Sequence, residues 1–475
     1  MAESAAPSLL FVLAAASLLF HVHCGYPLPA TARMKLFHDP TMRLRDFKAS
    51  LDQLGSASPG PPSERSQGTV YDVTSYGADP FGKTDSTAAI LSALSDAIKG
   101  PSHGSLTAGI SNLGGVRINL QGGTYVISRP LQFPSAGVGN IVIHGGTLQA
   151  SADFPMDGYL IDLSNSNGSM SYYYEFITFR DLLLDANYRG GGILVRNSLR
   201  IGIDNCFIAH FSSNGILVQG GHETYVRNSF LGQHITAGSD PGERNFSGIG
   251  INLQGNDNAV TDVVIFSAMV GIMVTSQANT FSGVHCYNKA TSFGGTGIYL
   301  KVPGNTQTRI VNCYMDFTGI VMEDPVQVDI TDSFFLGDAY VVLKSINGVA
   351  KGVNVVNNLF TGSNKGIDTV QLDVSNGPFK QVDRVVVERN GAVGMNSRLT
   401  NARGSTQGNG TRWEVDFSST LLLPDMISYV QYSLKDDSTG SFPKHALRNV
   451  TKNSVVIESE VVVSATVFVM VDQMK

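Results

Sequence analysis

The sequence predicts an all-β solenoid: a parallel β-helix with an N-terminal capping helix and a C-terminal β tail. Three observations carry that expectation. One skeleton recurs along the chain: an apolar residue, a short polar one, a small one, an aromatic, a variable gap, then Gly-Ile and more apolar residues. It reads "IDNCFIAHFSSNGILV", "VRNSFLGQH" with "GIGINL", "GVHCYNKAT" with "GTGIYL", and "IVNCYMDFTGIVM". With the short polar residue as marker, the series Asp181, Asn205, Asn228, Asp262, His285, Asn312, Asp332, Asn358 steps by 24, 23, 34, 23, 27, 20 and 26 residues. A period of twenty-odd residues holding short β-type runs between turns marks a stacked repeat. Finally, 51 glycines beside many β-branched residues suit tight turns between strands. Leucine-rich repeats share the period, but their Leu-x-x-Leu-x-Leu pattern is absent, which leaves coils of about three short strands.

In chain order, residues 1–24 read as a cleaved secretory signal. The apolar run 9–20 is too short to span a bilayer, and small and polar residues follow it. Residues 25–68 are a linker or propeptide, rich in Pro and Ser toward "GSASPGPPSERSQG", with one short helix expected around 42–54. The β-helix domain is expected over 69–400. It opens with a strand, a Gly-rich turn and a helix over 84–98, with Thr84 or Asp85 as N-cap and Ala89, Ile90, Ala93, Leu94 and Ala97 as its apolar face. An open end of a β-helix exposes strand edges and core, so this helix is assigned as the cap. Strands follow at "GGVRINLQGGTYVI" and "NIVIHGGTLQAS", and the repeat takes over from about Phe176. Residues 401–475 read as a hairpin-rich β tail.

Stacked coils explain the skeleton. Each side chain lies on its counterpart ~4.8 Å away, so marker Asn residues are expected to hydrogen-bond to one another, with the small residue and the aromatic filling the interior. Cys206, Cys286 and Cys313 each follow a marker and are read as buried small hydrophobes. An odd count after signal removal makes no disulfide framework.

The formal charge of −6 leaves no basic footprint for nucleic acid, and no later segment is apolar enough for a membrane helix. A monomer is expected. Sequons at Asn167, Asn245, Asn409 and Asn449 fit a secreted glycoprotein. Coils differ in the gap between the aromatic and Gly-Ile, so function is sought there. The gaps place Asp185, Tyr188, Arg189, His210, His234, Asp240, Glu243, Arg244, Lys289, Asp316 and Asp338 on one flank, with the insertion "GQHITAGSDPGERNFSG" lengthening one coil. Carboxylates mixed with Arg, Lys and His along a shallow groove suit an acidic polysaccharide. Glycosidic hydrolysis needs one carboxylic acid and one carboxylate, ~5 Å apart for retention or ~6.5–9.5 Å for inversion. Asp185 with Asp240 or Glu243 is the favoured pair, His234 is a further catalytic candidate, and Asp316 with Asp338 comes second. Tyr188, Arg189, His210, Arg244, Lys289 and Asp338 are assigned to substrate binding, and no metal ligand is assigned. Each also has a bland role: Asp185 can cap its turn, Asp240 and Glu243 suit solvated turn positions, and the cations can balance nearby acids.

"YDVTSYGADPFGKTDSTAAILSAL" followed by "GGTYVI" resembles the entry segment of the pectate-lyase-like, single-stranded right-handed β-helix superfamily. The stretch from "FLGQHITAGSDPGERNFSG" through "GNDNAVTDVVIFSA" and "GVHCYNKAT" to "EDPVQVDITDSFFLGDAYVVLKS" resembles, more narrowly, the plant Quartet-type polygalacturonases. That resemblance covers nearly all of the chain past residue 65. It implies hydrolysis of α-1,4-galacturonan in the cell wall, that of the pollen mother cell, with no organic cofactor and an extracellular site of action. The wider polygalacturonase group carries Asn-Thr-Asp, Asp-Asp, Gly-His-Gly and Arg-Ile-Lys on successive coils. Here those places hold Gly190–Gly192, Ser212-Ser213, His234 in "GQHIT", and Arg309-Ile310-Val311. Two other readings stand beside hydrolysis: a pectin lyase using Lys289 or an Arg as base with Ca²⁺ bridging carboxylates, and a wall-polysaccharide binder without catalysis.

Overall fold

The computed structural model describes residues 68–164, 171–234, 247–287, 295–437 and 442–474. Signal, linker, sequons Asn167 and Asn245, and site candidates Asp240, Glu243, Arg244 and Lys289 lie outside them. Residues from Gly68 onward form one compact unit.

Each complete coil adds one strand to each of three parallel ladders, and the first and last coils add to the first two alone. The first ladder runs from Val70–Asp72 to Gln381–Glu388, the second from Phe81–Asp85 to Gly391–Val393, and the third from Leu131–Gln132 to Val370–Asp373. One coil shows the pattern: Gly202–Asp204, Phe207–Ala209, then Asn214–Gln219. Strands Val138–Ala150 and Tyr174–Asp185 run through both of the first two ladders and join them into one 22-stranded sheet. All of these pairings are parallel, as the period predicts. Helix α1, Thr87–Ile98, covers the first coils and buries Ile90, Ala93, Leu94 and Ala97. Its N-cap is Ser86 rather than Thr84 or Asp85. The expected Asp85 still serves the helix start, since its carboxylate accepts the Thr87 N–H at 3.0 Å. The tail is a four-stranded antiparallel sheet, Asn401–Asp416, Tyr429–Asp436, His445–Thr451 and Ser454–Asp472, with its own core around Trp413, Val455, Ile457 and Val467.

The recurring Gly-Ile has a steric cause. A Cβ on Gly192, Gly215, Gly250 or Gly271 would stand 2.5–2.7 Å from the carbonyl oxygen of the glycine in the next coil, so only hydrogen fits. The following residue points inward. Ile193, Ile216, Ile251, Ile272, Ile298, Ile320, Val341 and Val370 stack as a column with no exposure. Burial of each contributes roughly 1.5–3 kcal/mol.

The marker residues stand at the corner between the first two ladders. Asp181, Asn205, Asn228, Asp262, Asn312 and Asp332 all have φ between 50° and 55°, the left-handed region that Asn and Asp tolerate best. Ladder register corrects two markers: the corners of their coils are Gly283 and Asn357, not His285 and Asn358. The corner side chains do not form the expected Asn stack. Asn205 donates to Asp181 at 2.8 Å and Asn228 to Asp204 at 2.9 Å, all near the surface. The buried polar stack lies one residue on: the Cys313 N–H donates to Ser333 Oγ, Ser333 N–H to Asn358 Oδ1, and Asn358 N–H to Asn390 Oδ1, at 2.9–3.0 Å. A second stack, Asn258 on Asn279 at 3.0 Å, fills the turn of "GNDNAVTD".

The aromatic of the skeleton also needs correction. It faces outward, because the second-ladder strands are three residues long and only the middle one, such as Ile208, Leu231 or Phe335, reaches the core. Phe230 and Phe334 are 47% and 50% exposed. Cys206 and Cys313 do follow corners, whereas Cys286 is a mid-strand core residue paired with Ile265 and Met315. All three are free and buried, and burial pushes the thiols of Cys206 and Cys313 up to about 12 and about 11.

Candidate functional site

The second-ladder strands end on a single row, and the gap loops leave from it. In register the row reads Gln149, Asp185, Ala209, Gly232, Phe266, Tyr287, Asp316 and Leu336. The first residue of each following turn tends to a left-handed corner, as at His210, Ser267 and Phe317, with φ of 54°, 51° and 53°. Asp185, Tyr188, Arg189, His210, His234, Asp316 and Asp338 therefore sit on strand ends or turns of one flank, as the sequence predicts.

The row brings four of them together. The Asp185 carboxylate accepts the His210 ring at Oδ1 (2.7 Å from Nδ1), the Asn187 N–H at Oδ1 (2.9 Å) and the Gln149 amide at Oδ2 (3.3 Å). Burial alone would raise this carboxyl. The His210 hydrogen bond and charge, the Asn187 N–H and the Gln149 amide outweigh burial and hold it below the usual carboxylate range. An ionised carboxylate only accepts, so Nδ1 of His210 carries the proton of that bond. The Tyr188 ring packs between His210 and His234, with centroids 4.8 and 5.7 Å away, and its hydroxyl lies 3.4 Å from His234 Nδ1. Tyr188 is 42% exposed, whereas His234 is buried. The other end of the 235–246 insertion is pinned beside His234: Gln233 accepts the Ser247 N–H at 3.1 Å and donates to Ser247 Oγ at 2.8 Å.

Other candidates are drawn elsewhere. Arg189 donates from Nε to the Phe154 carbonyl at 2.9 Å. Asp316 shares the Asp185 row but five coils away, ~24 Å at the strand spacing. Burial raises its carboxyl, the condition a proton donor needs, and it has no hydrogen-bond partner among the described residues. The expected Asp316–Asp338 pair is not formed as a matched couple. Asp316 is in register with Leu336, two residues before Asp338, and the Asp338 carboxylate accepts the Ser363 N–H and hydroxyl at 2.7 and 2.6 Å with Lys365 3.5 Å away. Gln149 and Gln233 were missed. Gln149 lies in "GGTLQAS", ahead of the recurring skeleton, and only the register places it against Asp185. Gln233 stands ahead of an insertion, and its partner Ser247 is fourteen residues on, a pairing that no local pattern marks. Among the described residues no three His, Cys, Asp or Glu side chains converge into a metal-binding group, and no helix is long and apolar enough to cross a membrane.

Among known proteins, the chain is 60% identical over 427 residues to the polygalacturonase QRT3 of Arabidopsis thaliana, spanning 90% of this chain and 89% of that one. No protein-family model matches. Similar solved structures include ORF18 of Geobacillus virus E2 (TM-score 0.49, 13% identity, 83% of this chain and 77% of that one). PfbA, a surface adhesin of Streptococcus pneumoniae, has TM-score 0.48, 14% identity, and coverage of 83% and 99%. The endo-xylogalacturonan hydrolase of Aspergillus tubingensis has TM-score 0.45, 15% identity, and coverage of 70% and 95%.

Proposed function

Because the chain belongs to the Quartet-type polygalacturonase family, we propose that it is a pectin-degrading glycoside hydrolase that cleaves α-1,4-galacturonan at the flank holding Asp185. The observation that carries the reading is the 60% identity across nine-tenths of the chain to a polygalacturonase. The reading is supported by an ionised carboxylate, two histidines and an exposed Tyr188 ring gathered on neighbouring coils of one flank. Asp185 and Asp240 or Glu243 are assigned as the acidic groups of the site, with Tyr188 beside the sugar and Arg189, bound to the Phe154 carbonyl, shaping the neighbouring turn. Arg244 and Lys289 are the cations for substrate carboxylates. Secretion into the cell wall, a pollen role and glycans on exposed Asn409 and Asn449 belong to the same proposal.

Incubation of the purified protein with polygalacturonan tests it. New reducing ends without ultraviolet-absorbing products are expected, and Asp185→Asn should lower kcat at least 100-fold. Absorbing unsaturated products would mean a lyase, and binding without cleavage would mean a wall-polysaccharide binder.

A further inference from the structure

We infer that His210 is the residue that hands the proton to the leaving sugar, with Asp185 as the positioning anion behind it. The inference rests on the galacturonan-hydrolase reading and deepens it. Asp185 is badly placed to donate a proton itself. It is held below the carboxylate range, and both its oxygens accept hydrogen bonds from His210, Asn187 and Gln149. A glycosidase acid needs the opposite, a group that keeps its proton until the bond breaks. Asp316 has that character, but five coils of stacking put it ~24 Å away, beyond any shared bond.

His210 meets the requirement by geometry. Its Nδ1–H is fixed on Asp185 at 2.7 Å, which sets the ring plane and leaves Nε2 as the working nitrogen. Nε2 makes no hydrogen bond among the described residues, although the ring is only slightly exposed. The same arrangement of carboxylate, Nδ1–H and free Nε2 is how a positioned imidazole carries protons in other hydrolytic sites. Tyr188 covers one side of the ring and itself borders His234, so among the described residues the charged or titratable groups facing His210 are Asp185, Tyr188 and, across Tyr188, His234. The left-handed φ of His210 is shared by Ser267 and Phe317 at the same corner, so it belongs to the coil and marks no special strain.

Imidazolium Nε2–H gives its proton to the glycosidic oxygen as the C1–O bond breaks and its electron pair goes to that oxygen. Water adds to C1 and releases one proton to solvent, which leaves the sugar hydroxyl. Neutral His210 then takes a proton from solvent.

Purified wild type, His210→Ala, His210→Gln and Asp185→Asn are assayed on polygalacturonan across pH, with and without added imidazole, and their thermal midpoints are compared. His210→Ala should lose at least 100-fold in kcat with little change in KM, and imidazole should restore 10-fold or more of the loss. His210→Gln should lose the alkaline limb of the pH profile. A folded His210→Ala within about threefold of wild type would overturn the assignment. So would a loss that imidazole does not restore and that appears in KM. A wild type that cleaves no galacturonan would instead overturn the hydrolase reading, and this inference with it.

Discussion

Phe334 and Phe335 are neighbours of the same type with opposite fates. Phe334 lies half-exposed on the outer face, edge-on to Tyr314, whereas Phe335 is fully buried and stacked on Phe360 at 4.4 Å. Phe335→Ala should therefore destabilise by about 4 kcal/mol and Phe334→Ala by less than about 1 kcal/mol, measured by urea unfolding. Similar losses would mean the strand register is wrong by one residue. At this scale the sequence revealed the type of each position better than its direction. The small residues of the skeleton were rightly placed inside, because Cys and Ser next to a tight corner have little alternative. The aromatics were assigned to the core on hydrophobicity alone. Yet a three-residue strand has one inward place, and the aliphatic or aromatic at its centre takes it. The buried Asn stacks were expected, but at the corner itself rather than one residue later. The left-handed corner turns its own side chain outward and the next one in.

The turns that close the coils hold together through polar groups that apolar periodicity does not reveal. Asp324, fully buried, gathers four backbone N–H groups at the turn of the next coil. Oδ1 accepts those of Ile346, Gly348 and Val349 at 3.0–3.1 Å, and Oδ2 accepts that of Asn347 at 2.6 Å. Burial pushes the carboxyl up, but the four donors outweigh it and hold it below its ordinary value. A depressed folded pKa stabilises the fold above the unfolded value of about 3.9, and that stability is lost as pH falls through the folded value. Asp324→Asn should destabilise by roughly 3 kcal/mol at neutral pH, since the amide aims a donor at other donors. The difference from wild type should shrink below about pH 4. An unchanged gap at acid pH would refute the ionised-carboxylate account. Nothing in "MEDPVQVDI" marks this aspartate as a cap, because its partners lie more than twenty residues on. Helix α1, by contrast, was legible from its apolar spacing. Only its first turn shifted, because Ser86 rather than Asp85 holds the N-cap place.

For the whole molecule, the period alone was enough to foresee stacked coils and a single flank of loops. The contents of the candidate site were less legible, since contacts such as Asp185–His210 and Asp185–Gln149 cross coils 25 and 36 residues apart. Such pairs emerge only from register. The cap has a global consequence that can be measured. Leu94 and Ile90 of α1 close the core against Leu120, Leu131, Phe133, Ile143 and Leu148. Leu94→Asp would bury an unpaired carboxylate there and lift the helix from the first coils. The expected result is soluble oligomers or fibres by light scattering, through newly bared strand edges. A variant that stays at wild-type size and melts normally would show that the coil end needs no lid.

Gln233 carries a last implication. Its amide bonds to Ser247 and Gly248 across the thirteen intervening residues, doing the work of a main-chain link. Pitch and register resume at Ile249–Leu253 undisturbed. The coil is thus closed by anchors on either side of 235–246, and the scaffold goes on counting rungs whatever sequence lies between them.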